Sequence, residues 1–294
     1  MTLSLIQLSD IHICRLTANP LIWLGKPALG MINHLVHRRW VSSERLAAQA
    51  VERILAIPSA VVLCAGDLTT TALPREFRRA AELLSLFQTA SKTIIASPGN
   101  HDRYTRRAVR RGWFEASFGE QDFPVVNDIR TPSEPPLRII QIETCVPSGL
   151  SSQGFFDPRQ ADPLMSALKT ARESKSLTIV MAHYPFVKDG DRSVRRPLFR
   201  RDLRNADALI DALSAYPPDL YLHGHTHRAR AYRSARLPSV LCIDSGSLTS
   251  LRPGIERAGG FNEIRFENGK IAVVRHYCFQ SEWSQRIMEP SACD

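Results

Sequence analysis

Five short apolar segments of the sequence each end at one or two polar residues that can ligate a metal. The segments are Leu3–Ser9, Val61–Ala65, Thr93–Ala96, Leu177–Met181 and Leu220–Leu222. The polar residues that follow them are Asp10 and His12, Asp67, Asn100, His183, and His225 with His227. Short apolar runs predict buried strands, and ligands of α/β sheets gather outside the carboxyl ends of the strands. The pattern therefore predicts an α/β fold in which these side chains converge.

The converging side chains combine carboxylate and amide oxygens with imidazole nitrogens. This mixture suits borderline divalent ions, with Mn expected first and Fe or Zn as alternatives, and the absence of a cysteine cluster argues against a structural zinc site. Two divalent cations about 3.5–4 Å apart can bind the oxygens of a phosphate ester and generate a nucleophile from water. We therefore expect a two-metal hydrolytic site, with Asp67 as the candidate to bridge both ions.

Each motif taken alone has a structural alternative. An Asp after a strand often caps the next helix, and a single buried histidine is commonly only hydrogen-bonded. The segments Gly99–Asp102 and Gly224–His227 are less ordinary, because polar groups clustered beside apolar strands are costly to bury without a purpose such as metal binding. Considered jointly, the motifs favour metal ligation.

The motifs resemble, in the same order, those of the calcineurin-like metallophosphoesterase superfamily. They are Asp10-x-His12, Gly66-Asp67, Gly99-Asn100-His101-Asp102, His183 and Gly224-His225-x-His227. The resemblance implies a four-layer α-β-β-α sandwich with two mixed β-sheets. It also implies a first metal held by Asp10, His12, Asp67 and His227, and a second held by Asp67, Asn100, His183 and His225. By the same resemblance, His101 is the general acid or transition-state stabiliser, and Asp102 orients its ring.

Arginine dominates the charge of the chain, whose formal net charge is +9. Such a balance favours anionic partners, namely phosphorylated substrates, nucleic acid or an acidic membrane surface, and a solvated basic surface is the alternative. Two arginine pairs lie near expected metal ligands. We expect substrate phosphate to contact Arg103 and Arg106, which follow the Gly99–Asp102 motif, and Arg195 and Arg196, in the loop after His183.

Length and composition predict one domain. With 294 residues, 44% of them hydrophobic, the chain is expected to form a core over residues 1–280, followed by a C-terminal tail at 281–294. The six cysteines are scattered, which predicts free thiols. No leader pattern precedes the first strand, and no segment reaches the ~18 apolar residues of a membrane span. We therefore expect a cytoplasmic protein.

Residues 14–42 form an apolar and basic insertion. Apolar residues recur in it at helical spacing, with histidines and arginines mostly off that face. One interpretation is an interfacial helix in residues 20–40 that contacts acyl chains and anionic headgroups, which would make the protein peripheral at the inner membrane surface. The alternative is a helix packed on its own domain.

Three classes of substrate are compatible with the motifs. The insertion, the segment Thr70–Phe77 and Tyr104-Thr105 are similar to bacterial metallophosphoesterases that include the chlamydial-type UDP-2,3-diacylglucosamine pyrophosphohydrolase of lipid A synthesis. This looser similarity ranks a lipid-nucleotide pyrophosphohydrolase first and a cyclic-nucleotide or general phosphodiesterase second. Both would act by attack of a metal-bridged hydroxide. A nuclease ranks lower, because the chain has no aromatic-interleaved basic run or added DNA-binding domain. A non-catalytic scaffold is disfavoured because no ligand position is substituted, and the sequence defines no oligomeric state.

Overall fold

The computed structural model describes residues 3–15, 43–59, 61–130, 135–147, 151–187 and 201–293. Most of the insertion at 14–42 lies outside these residues, as do Arg195 and Arg196. The interpretations placed on them therefore stay predictions.

Fifteen strands and six α-helices occur in the described residues. The strands are β1 (Leu3–Leu8), β2 (Val61–Cys64), β3 (Thr93–Ala96), β4 (Val125–Ile129), β5 (Leu137–Gln141), β6 (Gly154–Phe155), β7 (Leu177–Met181), β8 (Leu203–Arg204), β9 (Leu220–His223), β10 (Ala229–Ser234), β11 (Leu237–Ser245), β12 (Gly259–Glu267), β13 (Lys270–Phe279), β14 (Trp283–Ile287) and β15 (Ser291–Cys293). The helices are α1 (Glu44–Leu55), α2 (Pro74–Thr89), α3 (Arg106–Arg110), α4 (Glu115–Phe118), α5 (Ala161–Glu173) and α6 (Ala206–Ala215).

Two mixed sheets form the centre of the molecule. The first has the order β14-β13-β12-β1-β2-β3, and the second has the order β15-β10-β11-β9-β7-β5-β4. Within the first sheet β1, β2 and β3 are parallel neighbours, and within the second β5, β7, β9 and β11 are parallel neighbours. Parallel strands end at the same edge of a sheet, so both sheets can present loops to one site.

Alternation along the strands divides the core into three layers. In β1, Leu5 packs between the two sheets, whereas Ile6 packs against α1 and α2 on the outer face of the first sheet. In β7, Ile179 faces the first sheet and Val180 packs against α5 and α6. Because successive side chains of a strand point to opposite faces, both sheets are covered on both sides. The predicted four-layer α-β-β-α sandwich is confirmed.

Local signals in the sequence explain where several elements begin and turn. The Ser43 hydroxyl accepts a hydrogen bond from the Leu46 N–H and caps α1, as its position before the helix predicts. Asn268 and Gly269 both have positive φ, at 53° and 71°, in the tight turn between β12 and β13. An Asn-Gly pair favours this type of hairpin turn, which accounts for the sharp connection between the two strands.

The segment 281–294 contributes strands to both sheets. β14 extends the first sheet by antiparallel pairing with β13, and β15 adds to the second sheet by parallel pairing with β10. Cys14, Cys64, Cys145, Cys242 and Cys278 are free thiols, as predicted. None of the helices in the described residues is long and apolar enough to cross a membrane.

Glu263, on β12, joins three strands of the first sheet. Its buried carboxylate accepts hydrogen bonds from Ser4 Oγ on β1 at 3.1 Å and from Tyr277 Oη on β13 at 2.9 Å, and it is paired with Arg265 and Arg275. Burial favours the protonated form, but the Arg265, Tyr277 and Ser4 hydrogen bonds outweigh it and lower the Glu263 pKa. A carboxyl with a lowered folded-state pKa stabilises the fold above its unfolded pKa of ~4.3 and loses that effect as the pH falls.

We therefore expect Glu263→Gln to lower the melting temperature at pH 7, and we expect the gap to wild type to narrow once the pH falls below ~4.3 and to close below the lower folded-state pKa. Removing a hydrogen bond to a charged group costs about 1.5–3 kcal/mol. Thermal unfolding followed by circular dichroism across this pH range tests the prediction. Glu267→Gln, at an exposed position of the same strand, is the control. A gap of equal size at pH 4 and pH 7 would contradict the role of the ionised carboxylate.

Candidate metal centre

Five loops bring the predicted ligands together. The loops after β1, β2 and β3 carry Asp10 with His12, Asp67, and Asn100, and those after β7 and β9 carry His183, and His225 with His227. The first sheet therefore supplies four ligands and the second sheet three. All seven predicted ligands meet at the carboxyl ends of parallel strands, as the sequence predicts.

Five of the seven ligands have a left-handed backbone. The φ angles are 55° at Asp10, 51° at His12, 56° at Asp67, 69° at His225 and 55° at His227. Few non-glycine residues adopt this region, although Asp, Asn and His do so several-fold more often than others. Strained positions of this kind persist only where the surrounding structure fixes them. No pattern in the sequence predicts this conformation.

Hydrogen bonds from neighbouring loops fix the turn after β1. The His12 N–H donates to the Asp67 carbonyl at 2.9 Å, and the Thr70 hydroxyl donates to the His12 carbonyl at 2.9 Å. From the connection between β11 and β12, the hydroxyls of Ser247 and Thr249 donate to the carbonyls of Asp10 and Ile11 at 2.8 and 2.9 Å. The ligand loops thus hold one another in place.

Glycine is required where two ligand loops touch. A Cβ at Gly99 would overlap Asp67, and a Cβ at Gly224 would overlap the side chains of Ser9 and Asp10. The Gly residues of the Gly-Asn-His-Asp and Gly-His-x-His motifs therefore serve close approach of the backbone to a carboxylate ligand.

The first ligand group consists of Asp10, His12, Asp67 and His227, whose ligand atoms all lie within 4.8 Å of one another. His12 Nε2 and His227 Nε2 are 3.2 Å apart, and His227 Nε2 is 3.0 Å from Asp10 Oδ1. Asp10 Oδ1 is buried and has no hydrogen-bond partner, whereas Oδ2 accepts from the His225 N–H and the Ser9 hydroxyl. A buried carboxylate oxygen without a donor, facing two imidazole nitrogens, fits a cation.

The second ligand group converges on the amide oxygen of Asn100. His183 Nε2 lies 3.1 Å and His225 Nδ1 lies 3.0 Å from Asn100 Oδ1, and His183 Nε2 is 3.5 Å from Asp67 Oδ1. The other ring nitrogens are engaged behind the site. His183 Nδ1 donates to the Ala65 carbonyl at 2.8 Å, and His225 Nε2 donates to the Arg201 carbonyl at 3.1 Å.

These outer hydrogen bonds leave lone pairs directed at an oxygen. A neutral imidazole that donates through one nitrogen can only accept through the other, so in the neutral tautomers His183 Nε2 and His225 Nδ1 would both face the Asn100 oxygen as acceptors. A cation satisfies such a set of acceptors, and an outer carbonyl that fixes the ring is typical of metal-ligating histidines. The residues therefore fit two divalent metal ions, with Asp67 belonging to both groups.

Charge in the site is balanced between carboxylates and imidazoles. Burial favours protonated Asp67, but the neighbouring His183, His101 and His12 outweigh it and lower the Asp67 pKa far below its ordinary range. Burial disfavours charged His183, but the carboxylates of Asp67 and Asp10 raise the His183 pKa to about 10. Burial, together with the charge of His183, lowers the His225 pKa. Metal binding therefore requires loss of a proton from His183.

His101 lies at the edge of the site and lines the same cleft as the ligands. Its ring stacks on Tyr104 with centroids 5.4 Å apart and meets the His12 ring edge-on at 4.8 Å. Its Nδ1 donates to the Thr70 carbonyl at 2.7 Å. The Thr70 carbonyl thus orients the ring, and proton transfer falls to Nε2.

Asp102 makes its hydrogen bonds away from the His101 ring. Its carboxylate accepts from the N–H groups of Leu68, Thr69 and Gly99 at 3.1, 2.9 and 2.8 Å, and from the Thr69 hydroxyl at 2.8 Å. This differs from the expectation that Asp102 orients the ring. The carboxylate joins the loop after β2 to the loop after β3, so we assign it a role in positioning these loops.

We expect Asp102→Asn to destabilise the protein by about 1–3 kcal/mol, because an amide group would set a donor against backbone N–H donors. Residual activity should keep the wild-type pH profile, since the His101 ring keeps its Thr70 partner. Thr69→Val, which removes one of the four hydrogen bonds, should have a smaller effect. Thermal unfolding and pH-rate profiles measure both. Unchanged stability combined with an altered profile would instead place Asp102 in control of the ring.

The predicted substrate arginines divide into three cases. Arg103 is buried and paired with Glu115 at 2.5 Å and with Glu143 at 3.0 Å, so it holds the loop after His101 and is not available to substrate. This corrects the expectation for Arg103. Arg106 is exposed on the first turn of α3, where its role stays a prediction. Arg195 and Arg196 lie outside the described residues.

Residues that are not among the predicted ligands, acid or substrate arginines also line the cleft. Ser152, Arg201, Thr226, Ser247, Ser250 and Arg252 line the cleft together with the ligands. Arg201 belongs to an arginine pair visible in the sequence, but no sequence pattern connects Arg252 to the ligands. His223 is buried with its Nε2 2.8 Å from Tyr232 Oη, in agreement with a structural role.

Residues 3–229 match the family model for calcineurin-like phosphoesterases. No curated protein sequence matches the chain.

Solved structures share the fold at low sequence identity. A dimetal phosphatase from Danio rerio is 12% identical with a TM-score of 0.61, and the match covers 98% of this chain and 99% of that one. The purple acid phosphatase PPD1 from yellow lupin (Lupinus luteus) seeds is 11% identical with a TM-score of 0.62, and the match covers 99% of this chain and 54% of that one. GAP50, described as the anchor in the inner membrane complex of Plasmodium, is 14% identical with a TM-score of 0.54, over 98% and 89%.

At these identities the solved structures establish only the fold, whereas the family model spans most of the sequence and includes the loops that carry the ligands. The chain therefore belongs to the calcineurin-like phosphoesterase family and is a metal-dependent hydrolase.

Proposed function

We propose that the protein hydrolyses a phosphodiester or pyrophosphate bond at a binuclear centre, with two Mn ions as the first expectation and a UDP-2,3-diacylglucosamine-type lipid nucleotide as the preferred substrate. The observation that carries the proposal is the complete set of seven ligands, in which two groups share the buried carboxylate of Asp67. A cyclic-nucleotide or general phosphodiesterase is the alternative function.

The ligand groups define which residues would hold each ion. Asp10, His12, Asp67 and His227 would hold one, and Asp67, Asn100, His183 and His225 the other. When bound, the two cations supply Lewis acidity toward phosphate oxygens and make water nucleophilic at neutral pH. The chain itself keeps Asp10 and Asp67 ionised, directs the His183 and His225 lone pairs inward, and holds the strained ligand loops by hydrogen bonds.

His101 is the proposed acid of the reaction. Its Nδ1 proton is committed to the Thr70 carbonyl, so Nε2 is the atom that donates a proton to the departing oxygen or stabilises developing negative charge. Stacking on Tyr104 limits rotation of the ring. The His101 backbone N–H donates to Asp67 Oδ1 at 2.7 Å, which fixes the residue beside the ligand groups.

An exposed loop beside the cleft supports an amphiphilic substrate. Leu251 and Ile255 are 44% and 46% exposed, and Arg252, between them, lines the cleft. Large apolar side chains beside a cationic one suit a ligand with acyl chains and phosphate groups. We therefore propose the lipid nucleotide, rather than a soluble cyclic nucleotide, as the preferred substrate. Attachment to the inner face of the membrane from the cytoplasm, through residues 20–40, belongs to the same proposal.

The test compares three substrates on the Mn-loaded full chain. UDP-2,3-diacylglucosamine, a cyclic nucleotide and an aryl phosphodiester are followed by phosphorus NMR, and metal content is measured in parallel. Release of UMP from the lipid at the highest kcat/KM is expected. Turnover of only the soluble esters would support the alternative function. No turnover of any of the three by protein with both ions bound would overturn the proposed chemistry.

A further inference from the structure

Two walls of the cleft each carry an arginine. The first wall is the parallel pair β6 and β8, where the Gly154 N–H donates to the Asp202 carbonyl at 3.1 Å. Arg201 precedes β8, and its carbonyl accepts the hydrogen bond of His225 Nε2 at 3.1 Å. The backbone of Arg201 is therefore fixed directly behind the second ligand group.

The second wall is the connection between β11 and β12. Its start is held by Ser247, whose hydroxyl donates to the Asp10 carbonyl at 2.8 Å. Further along, Ser250 Oγ donates to the Arg257 carbonyl at 2.6 Å and accepts from the Arg252 N–H at 3.2 Å. The backbone of Arg252 is thus anchored on the side of the Asp10 loop. This loop carries Asp10 and His12, which belong to the first ligand group.

The side chains of Arg201 and Arg252 differ from those of other arginines in the described part of the chain. Both are exposed and line the cleft, and neither makes an ion pair or a hydrogen bond through its guanidinium with the described part of the chain. Arg103 and Arg138, by contrast, are held by carboxylates. Of the described residues that line the cleft, Asp67 is the single carboxylate, and it is a proposed metal ligand.

An anion from outside the chain fits this arrangement. A guanidinium binds phosphate oxygens through charge-assisted and often paired hydrogen bonds. The phosphate of a simple diester has two non-bridging oxygens, and two cations held by the ligand groups would supply the positive charge for them. The guanidinium groups of Arg201 and Arg252 are therefore not needed to bind a diester. Their positive charge matches a second phosphate group in the same substrate.

We propose that Arg201 and Arg252 bind the phosphate that is not attacked and thereby select organic diphosphates over phosphodiesters. The proposal rests on the hydrolytic function proposed above and specifies its substrate class. It assigns a binding role to both arginines and no role in bond cleavage.

The kinetic test uses two substrates that carry the same aryl group, an aryl phosphodiester, which releases a phenol, and a diaryl diphosphate, whose pyrophosphate bond is cleaved to release an aryl phosphate. The variants are Arg201→Ala, Arg252→Ala and the double variant. Loss of a charged hydrogen bond typically corresponds to roughly 10–100-fold in binding. The double variant should lose at least this factor in kcat/KM on the diphosphate, mainly through KM, and should change less than about threefold on the diester. Arg236→Ala, which removes an exposed arginine paired with Asp207, is the control.

Calorimetry supplies a second measurement that does not depend on turnover. The Mn-loaded protein is titrated with methylenediphosphonate and with methylphosphonate. Only the affinity for the diphosphonate should fall in the double variant, and Arg→Lys replacements should restore part of it. Equal losses for both ligands, or no loss for either, would overturn the proposal. If wild type hydrolyses neither ester while calorimetry still shows the selective loss, the hydrolytic function fails and the binding role of the arginines stands.

Discussion

Replacing Asp67 with Asn is expected to abolish hydrolysis and to remove metal from both ligand groups. Asp67 Oδ2 lies 3.7 Å from His12 Nε2 in the first group, and Oδ1 lies 3.5 Å from His183 Nε2 in the second. Loss of an outer hydrogen-bond partner of a metal ligand usually costs ~10–100-fold in affinity or activity, so loss of a ligand shared by two ions should cost more. Asn tolerates the left-handed backbone at this position, where φ is 56°, so the loop keeps its conformation.

Metal content by mass spectrometry and turnover of an aryl phosphodiester together test this expectation. Wild type should carry about two ions per chain, as a binuclear site requires. The variant should carry fewer than one. Asp128→Asn, which removes an exposed carboxylate paired with Arg138, should change neither quantity. A variant that keeps both ions and is inactive would show that Asp67 acts in chemistry rather than in metal binding.

Replacing His101 with Ala should separate chemistry from metal binding. General acid catalysis contributes ~10²–10⁴-fold, so kcat should fall by a factor in this range. Metal content should stay at the wild-type level, because His101 belongs to neither ligand group. The limb of the pH-rate profile that reports the acid should disappear as well, and an ester with a leaving group of low pKa, which needs little protonation, should lose the least.

The control is His276→Asn, a buried histidine on β13 whose Nδ1 lies 2.8 Å from Asn262 Oδ1. That variant is expected to lose stability and to keep its turnover per folded molecule. If His101→Ala instead releases metal, the histidine is part of the centre and its assignment as the acid fails. Equal losses for good and poor leaving groups would likewise count against proton donation.

The convergence of the candidate ligands could be predicted from the sequence because each of them follows an apolar strand. Asp67 and His183 come from different sheets, yet both lie just past the carboxyl ends of parallel strands, and that edge is common to the whole site. Whether a segment forms a buried strand, and whether a side chain can ligate a metal, both depend on the local sequence. The candidate ligands could therefore be predicted from the apolar pattern and from side-chain chemistry.

Contacts between segments that are distant in the sequence could not be predicted in this way. Arg103 was expected at the substrate because it follows His101, but Glu143, forty residues later, pairs with it. Asp102 is adjacent to His101 in sequence, yet it hydrogen-bonds to the loop after β2. Arg252 enters the cleft only because its loop folds back over the turn after β1. The left-handed backbone of the candidate ligands could not be predicted either, since Asp and His occur in every backbone region.

The position of β1 in its sheet bears on how the protein emerges from the ribosome. β1 is the first described strand to be synthesised, but one of its two neighbours is β12, at Gly259–Glu267. The turn after β1 is held by hydrogen bonds from Ser247 and Thr249, which are synthesised much later. Two of the candidate imidazole ligands, His225 and His227, are also synthesised late. Pairings that join such distant parts of a chain form slowly. A nascent chain therefore exposes an unpaired edge of β1 until β12 has been synthesised, and an incomplete set of candidate ligands until residue 227, so that chaperones or a metal ion could reach both during that interval.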